Sequence, residues 1–430
     1  MSPHNHRSRI VATSLTMLIE ALAATGCGPR TPTTVATNAT AEFPPADCDT
    51  DFLAWWLDHC GAPTTTAEPA VLVRAVQAFV NDDDAFAIAD RPVETWTAAD
   101  IAAMEEWTVA NDAALALFEE SVRRCERPRY IADVFSSPTV ARAHEPSELP
   151  VQRRLAACVL ARARLAARRH DAAALRVDVE TLLAHARCCA AIATTYRLNW
   201  AARDLADVGD LLITACLHEG WLDDPAVLAP LAEALAATNL DAGAAVPGIL
   251  ASAMAIFCAG VERDADGNAI AWTDGSGHAV AIAPPRSPAE VAADIRDYVI
   301  AWRRVTTLPW DEREPVVRQW QAAWGSDDEF PKMAVADSVL LGMEARVRDA
   351  TLHRNVAVLA ARARLYRVEH GRWPASLDLV LNGADDPCGR NPLGRSLGLA
   401  VAGDALLITG FEREPTVDDP NRPRWPSSRA

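Results

Sequence analysis

From Asp51 to about Cys258 apolar residues recur three and four positions apart. That is the spacing of a helix buried along one face, so the chain is restricted to packing helix on helix. The pattern predicts helices over Asp51–Cys60, Pro69–Val80, Ala98–Cys125, Pro150–Arg169, Ala172–Leu205, Val208–Glu219, Pro225–Ala237 and Asp241–Cys258. Their ends carry ordinary stop and start signals, such as Gly220 and the Asp223-Asp224-Pro225 run. The acidic runs Asn81–Asp84 and Asp327–Glu329 are expected as solvated loops between them.

Leu160 to Arg187 has the pattern of an αα-hairpin: Arg162, Leu165 and Ala166 lead into a turn at Arg168–Asp171, and Ala173, Leu175, Val179 and Leu183 follow it. The segment resembles one unit of a tetratricopeptide-type array, which implies stacked helical hairpins. Three clean repeats of 34 residues are not found, so the expected architecture is a generic helical array over 47–258. The period then changes. Val261, Ile270, Trp272, Val280 and Ile282 lie between two turn clusters, Asp264–Asn268 and Asp274–Gly277, which predicts a short β-meander inserted at 259–285. Helices resume over Ser287–Arg304, Glu312–Trp324 and Lys332–Glu369. Trp302, Trp310, Trp320 and Trp324 supply either a shared core or an aromatic groove, and the core reading carries more weight.

The first 26 residues have the form of an export signal: His4, His6, Arg7 and Arg9 are followed by a largely apolar stretch from Ile10 to Ala24. Leu22-Ala23-Ala24-Thr25-Gly26-Cys27 resembles a bacterial lipobox, which implies a lipid on Cys27 and an exported, envelope-bound protein. Simple secretion is the alternative, because Glu20 interrupts the apolar stretch. Residues 27–46 have a tether's composition, and 412–430 that of a disordered tail. Arg plus Lys total 41 against 58 acidic residues, a net charge of −17, so nucleic acid is excluded as a partner on electrostatic grounds. Ten cysteines leave nine beyond Cys27, an odd number, so at least one thiol stays outside any intramolecular pair. A Cys48–Cys60 bridge requires a break in the helix expected between them, since about 12 helical residues span roughly 18 Å.

The most specific stretch is Leu365–Leu377. Tyr366 and His370 lie one helical turn apart, Gly371 supplies a left-handed stop, and Trp373 and Pro374 precede a short helix through Leu377 to Leu381. The loop Asp386-Pro387-Cys388-Gly389 follows, then Asn391-Pro392-Leu393-Gly394, then two apolar runs, Leu397–Val401 and Ala405–Ile408. The order of long helix, H-G-x-W-P-x-S-L, D-P-x-G-x-x-P-L and β-hairpin over 335–411 resembles the C-terminal module of type II secretion pseudopilins. That resemblance implies a small α+β cap after the helical segment 286–334. The chain departs from the family because its helix lacks an apolar membrane-entering half, which argues against pilus assembly. Asp385 and Asp386 with only Asp404 nearby make a poor calcium set. Asn111-Asp112-Ala113-Ala114-Leu115, Arg124-Cys125 and Arg127-Pro128 give 95–411 a wider resemblance to an uncharacterised family of exported bacterial helical proteins, from which no catalytic residue carries over.

Motifs that would specify a reaction are missing. Lys332, the only lysine, is in no phosphate loop, and His144-Glu145 and His218-Glu219 have no second histidine at the zinc-protease spacing. Gly275-Ser276-Gly277 is too tight for a nucleophile elbow. Asp264, Asp266 and Asn268 imitate the start of an EF-hand loop without its glycine or closing glutamate, and a hairpin turn accounts for them. The one set with ligand spacing is His185, Cys188 and Cys189, which three- and four-residue steps place on adjacent helical faces as weak metal candidates; core packing is the weightier reading. The expectation is a protein without cofactor that acts as an envelope scaffold, meeting the membrane only through its lipid and binding a protein or peptide. An accessory part of a secretion or pilus-like apparatus is one alternative. A hydrolase assembled from scattered residues is another.

Overall fold

The computed structural model describes residues 70–124, 148–190, 195–240, 261–273, 279–287, single positions between 289 and 319, then 333–392, 394–402 and 405–410. Mainly helical, it carries two small antiparallel sheets. The expected helices Asp51–Cys60 and Asp241–Cys258, the signal, Cys27 and the tail lie outside these residues, as do Trp310, Trp320 and Trp324; Trp302 is fully buried.

The N-terminal layer comprises α1 (Ala70–Ala78), α2 (Asp83–Ala89), α3 (Ala98–Ala110) and α4 (Asp112–Arg123). Two of these correct the sequence expectation. The Asn81–Asp84 run is a helix start rather than a loop. The Asp82 carboxylate accepts the Ala85 N–H at 2.9 Å, and Asp83 and Asp84 occupy the first turn, where the helix dipole favours negative charge. The single helix expected over Ala98–Cys125 is split at Asn111. Its fully buried carboxamide accepts the Val80 N–H at 2.8 Å and donates to Val80 O and Trp107 O. The side chain thus satisfies an otherwise unpaired backbone between α1 and α2, and the helix breaks to place it.

The body continues with α5 (Glu148–Arg168), α6 (Ala172–Ala190) and α7 (Thr195–Ile213). The turn between α5 and α6 falls where the sequence puts it. His170 takes a left-handed φ of 54°, the Asp171 N–H reaches back to Ala166 O at 2.9 Å, and the Asp171 carboxylate caps α6 through the Ala174 N–H. The single helix expected over Ala172–Leu205 is two, α6 ending at Ala190 and α7 starting at Thr195, and the expected break near residue 206 is absent: α7 runs through Asp207 and Val208 and widens into a π-turn at Thr214–His218, ending at Gly220, φ 65°. Helix α8 (Pro225–Ala236) starts on an Asp224 cap with proline in its first turn.

The long helix α9 (Met333–His370, 38 residues) packs along α7 and α8. Ala357, Val358, Leu359, Ala360 and Ala361 are consecutive and fully buried, so α9 is enclosed on every side there, as a helix at the centre of a core must be. Gly209 of α7 sets the closest approach, since a Cβ on it would stand 3.1 Å from the His353 backbone carbonyl. Among the described residues no helix is long and apolar enough to cross a membrane.

The β-meander is present: β1 (Val261–Arg263), β2 (Ala269–Thr273) and β3 (Ala279–Arg286) pair in order, with Trp272 opposite Val280. Asp264 folds the first turn by accepting the Asp266 and Asn268 N–H groups, which is the hairpin-turn role expected for it. Strands β4 (Gly398–Ala402) and β5 (Ala405–Thr409) form the C-terminal hairpin, with Leu399 opposite Ile408. The short helix expected from Pro374 to Leu381 is only a 3-10 turn at Leu377–Leu379. Here the chain turns down onto α9, where Val380 and Leu381 pack against the core.

Arginine joins these layers. Arg164 on α5 donates to Ala89 O at 2.7 Å and pairs with Asp207; Arg203 on α7 bonds Asp90 at 2.6 Å. Arg162 bridges Asp178 of α6 and Glu119 of α4. One planar fork thereby reaches two elements, a geometry that an ammonium group does not reproduce.

Candidate functional site

Two polar constellations stand out in this apolar body. The first grows from the last turns of α6. His185 and Cys189 are one turn apart and face α7, which brings Asp204 opposite them. The Asp204 carboxylate lies 2.6 Å from His185 Nδ1, and Cys189 Sγ lies 3.4 Å from His185 Nε2. The Phe118 ring of α4 covers the imidazole with its centroid 5.3 Å away. Burial alone would favour the uncharged ring, but the facing Cys189 and Asp204 outweigh it and push His185 up to about 10. His185 and Cys189 are 0% exposed and Asp204 is 9%.

Carboxylate, imidazole and thiol thus follow in the order that orients a ring, holds a proton and presents a nucleophile. The sequence pointed to His185, Cys188 and Cys189; the structure joins only His185 and Cys189. Cys188 turns its thiol to Val122 O at 3.2 Å on α4. Among the described residues no group of three metal-ligating side chains converges, so the His185–Cys188–Cys189 ligand set is not assembled. Asp204 was not visible from the sequence. It stands beside Arg203 and ahead of Asp207 and Asp210 in a mixed stretch of α7, and nothing local says that it faces His185 across a helix interface.

The second constellation seats the C-terminal module on α9. The Asp386 carboxylate accepts the Asn382 N–H and the Cys388 N–H, each at 2.9 Å, and pairs with Arg362 of α9 at 2.5 Å. Asn355, one residue from the buried Arg354, donates to Pro387 O and Arg390 O. Arg354 in turn bonds Thr238 O at 2.9 Å and Asn239 Oδ1 at 3.2 Å, tying the end of α8 to the same place. Gly389 packs directly beneath Leu381, whose Cδ1 would stand 2.9 Å from a Cβ there. Pro392 sits at the second position of a tight turn closed by the Gly394 N–H on Asn391 O. Asp386 therefore faces a guanidinium and two amides, a position that satisfies its carboxylate internally.

The rest of the module signature lies at the end of α9. Tyr366 and His370 stack with ring centroids 4.1 Å apart, Gly371 has the left-handed φ of 69°, and the Arg367 guanidinium covers the buried Trp373 at 4.5 Å. Pro374 is buried and Leu377 half-buried. Each of these side chains shapes the exit from the helix and its return to the core.

Asp386 supplies a pH test. Burial would raise its acid constant, but the two amides and Arg362 outweigh that and hold the group down at about 2 from 3.8. A depressed carboxylate stabilises the fold above its unfolded value and loses that contribution as pH falls through the folded one. The Asp386 contribution is roughly 2 kcal/mol at neutral pH and disappears between about pH 4 and pH 2. Denaturation of wild type and Asp386→Asn at pH 7 and pH 2.5 measures it: the gap between the two proteins should narrow to about a third at the lower pH.

These features define the class: a mainly α-helical protein with small antiparallel sheets, in which a buried carboxylate, imidazole and thiol meet in the body and a loop clamped by Arg362 seats the C-terminal hairpin. No family model, no curated protein and no solved structure matches the chain.

Proposed function

We propose that this protein is a non-enzymatic scaffold of the bacterial envelope, held to a membrane by a lipid on Cys27, that binds a protein or peptide partner. The observation that carries the reading is the enclosure of the described residues best able to do chemistry. His185 and Cys189 have no exposed surface, and Asp204 spends its carboxylate on the imidazole beneath α4. Arg162, Arg164, Arg354 and Arg362 are likewise used between elements. Side chains spent in this way stiffen a shape, which is what a binding scaffold needs.

A second reading, an accessory part of a secretion or pilus-like apparatus, is favoured by one feature: the long helix α9 carries the Asp386–Gly389 loop and the β4–β5 hairpin as a clamped cap. The two readings separate in a pull-down from envelope extracts. Recovery of secretion components by the full chain, abolished by Asp386→Ala in protein that keeps its helical circular dichroism, supports the second; recovery of other partners irrespective of Asp386 supports the first. The lipid anchor is tested separately by Cys27→Ala, which should move the protein from the membrane fraction to the soluble fraction. Unchanged partitioning would remove the anchor from the proposal.

A further inference from the structure

The arrangement that packs the body also places an imidazole against a thiol. Cys189 is one residue from the C-terminal end of α6, and its sulfur faces an imidazole whose other nitrogen is held by Asp204 at 2.6 Å. Cys188, in the same turn, is slightly more exposed at 6% against 0%, yet its thiol is directed to a backbone carbonyl of α4. Cys188 is thus the more exposed of two neighbouring thiols and meets a carbonyl where Cys189 meets an imidazole. The last turn of a helix opens more readily than its middle, and hydrogen peroxide, close to water in size and uncharged, enters through such openings.

We propose that Cys189 is a site of oxidation by hydrogen peroxide, with His185 supplying the proton that the departing oxygen needs and Asp204 holding that imidazole in place. His185 Nε2 first takes the Cys189 thiol proton, and the thiolate attacks one peroxide oxygen: an S–O bond forms and the O–O bond breaks. The departing oxygen leaves as hydroxide and takes the Nε2 proton of His185, becoming water. Cys189 ends as a sulfenic acid and His185 as it began: one thiol and one peroxide give one sulfenic acid and one water. The sulfur is oxidised by two electrons and the peroxide reduced by two. Burial pushes Cys158 and Cys216 up to about 12, and neither has an imidazole beside it, so neither shares the route.

The test treats the reduced full-length protein with hydrogen peroxide and traps sulfenic acid with a 1,3-dicarbonyl probe. Mass spectrometry with fragmentation between residues 188 and 189 then locates the label. General acid assistance gives an expected excess of at least about tenfold at Cys189 over Cys188. Equal labelling of the two, or labelling of Cys188 alone, overturns the proposal without any variant being made. His185→Gln adds a readout of opposite sign. If His185 only packs the core, its loss loosens the turn and Cys189 oxidises faster; if it supplies the proton, Cys189 falls to the rate of Cys188. Faster oxidation in that variant overturns the proposal. Should His185→Gln not fold, Asp204→Asn, which keeps the shape and disturbs the ring's orientation, is expected to lower the Cys189 excess, and an unchanged excess removes Asp204 from the scheme.

Discussion

Replacing Asp204 with leucine should cost the protein about 3–5 kcal/mol, the range for stranding one member of a buried ion pair. The reason is specific to His185. The ring is fully enclosed by α4, α6 and α7, and its proton is held there by the carboxylate and the facing thiol. Without Asp204 the ring must either stay charged in an apolar pocket or give up its proton and leave Nδ1 without its partner. Both states are costly. The double variant His185→Leu, Asp204→Leu removes both polar groups together and should recover most of the loss. Urea unfolding followed by circular dichroism measures all three proteins. A loss below about 1 kcal/mol in the single variant would mean that the pair carries no charge in the folded state.

The second large effect is steric. Valine at Gly209 should cost at least about 2 kcal/mol, because its Cβ would be driven to 3.1 Å from the His353 backbone at the interface of α7 with α9. Backbone atoms of a buried helix cannot move aside as the tip of a side chain can. The whole α7–α9 spacing would have to widen, opening the core around Ala357–Ala361. Gly342, also in α9, is the control of opposite sign. It is exposed, and a Cβ there meets nothing within 4 Å, so Gly342→Ala should gain about 0.5–1 kcal/mol from helix propensity alone. A thermal shift upward for Gly342→Ala and downward for Gly209→Val is the expected result. Equal shifts would mean that Gly209 does not set the approach.

Much of the architecture was legible because it depends on local pattern. The αα-hairpin at Arg168–Asp171, the meander between Val261 and Arg286 and the C-terminal hairpin all follow from periods of 3.6 and 2 interrupted by turn residues. Two of the misread boundaries are set by distant partners and one by a local cap. Asn111 breaks a pattern that is helical throughout because its carboxamide is needed 31 residues away at Val80, and no local propensity records such a demand. The chain near residue 206 looks like a stop, yet Asp207 is held by Arg164 of another helix and the helix passes through. At Asn81–Asp84 the acids looked like solvated loop residues, whereas Asp82 caps a helix too short to show a period.

The candidate sites divide in the same way. His185 and Cys189 could be placed together from the sequence because one helical turn separates them, while Cys188 was grouped with them only because spacing cannot show where a thiol points. Asp204 belongs to another helix and enters the set only when α6 and α7 pack. The Asp386-Pro387-Cys388-Gly389 loop was recognisable as a unit, but its anchors Arg362 and Asn355 lie on α9, 24 and 32 residues from the groups they hold.

By itself the sequence determined that the chain buries its apolar stripes mainly by packing helices together, and where the meander and the C-terminal hairpin interrupt them. Those properties are sums over near neighbours, which periodicity and composition record directly. Only the tertiary structure decided which polar groups meet: His185 with Asp204, Arg162 with Asp178 and Glu119, Arg362 with Asp386. A buried polar side chain is settled by whatever partner stands across the interface, and that partner is fixed only when the helices have packed.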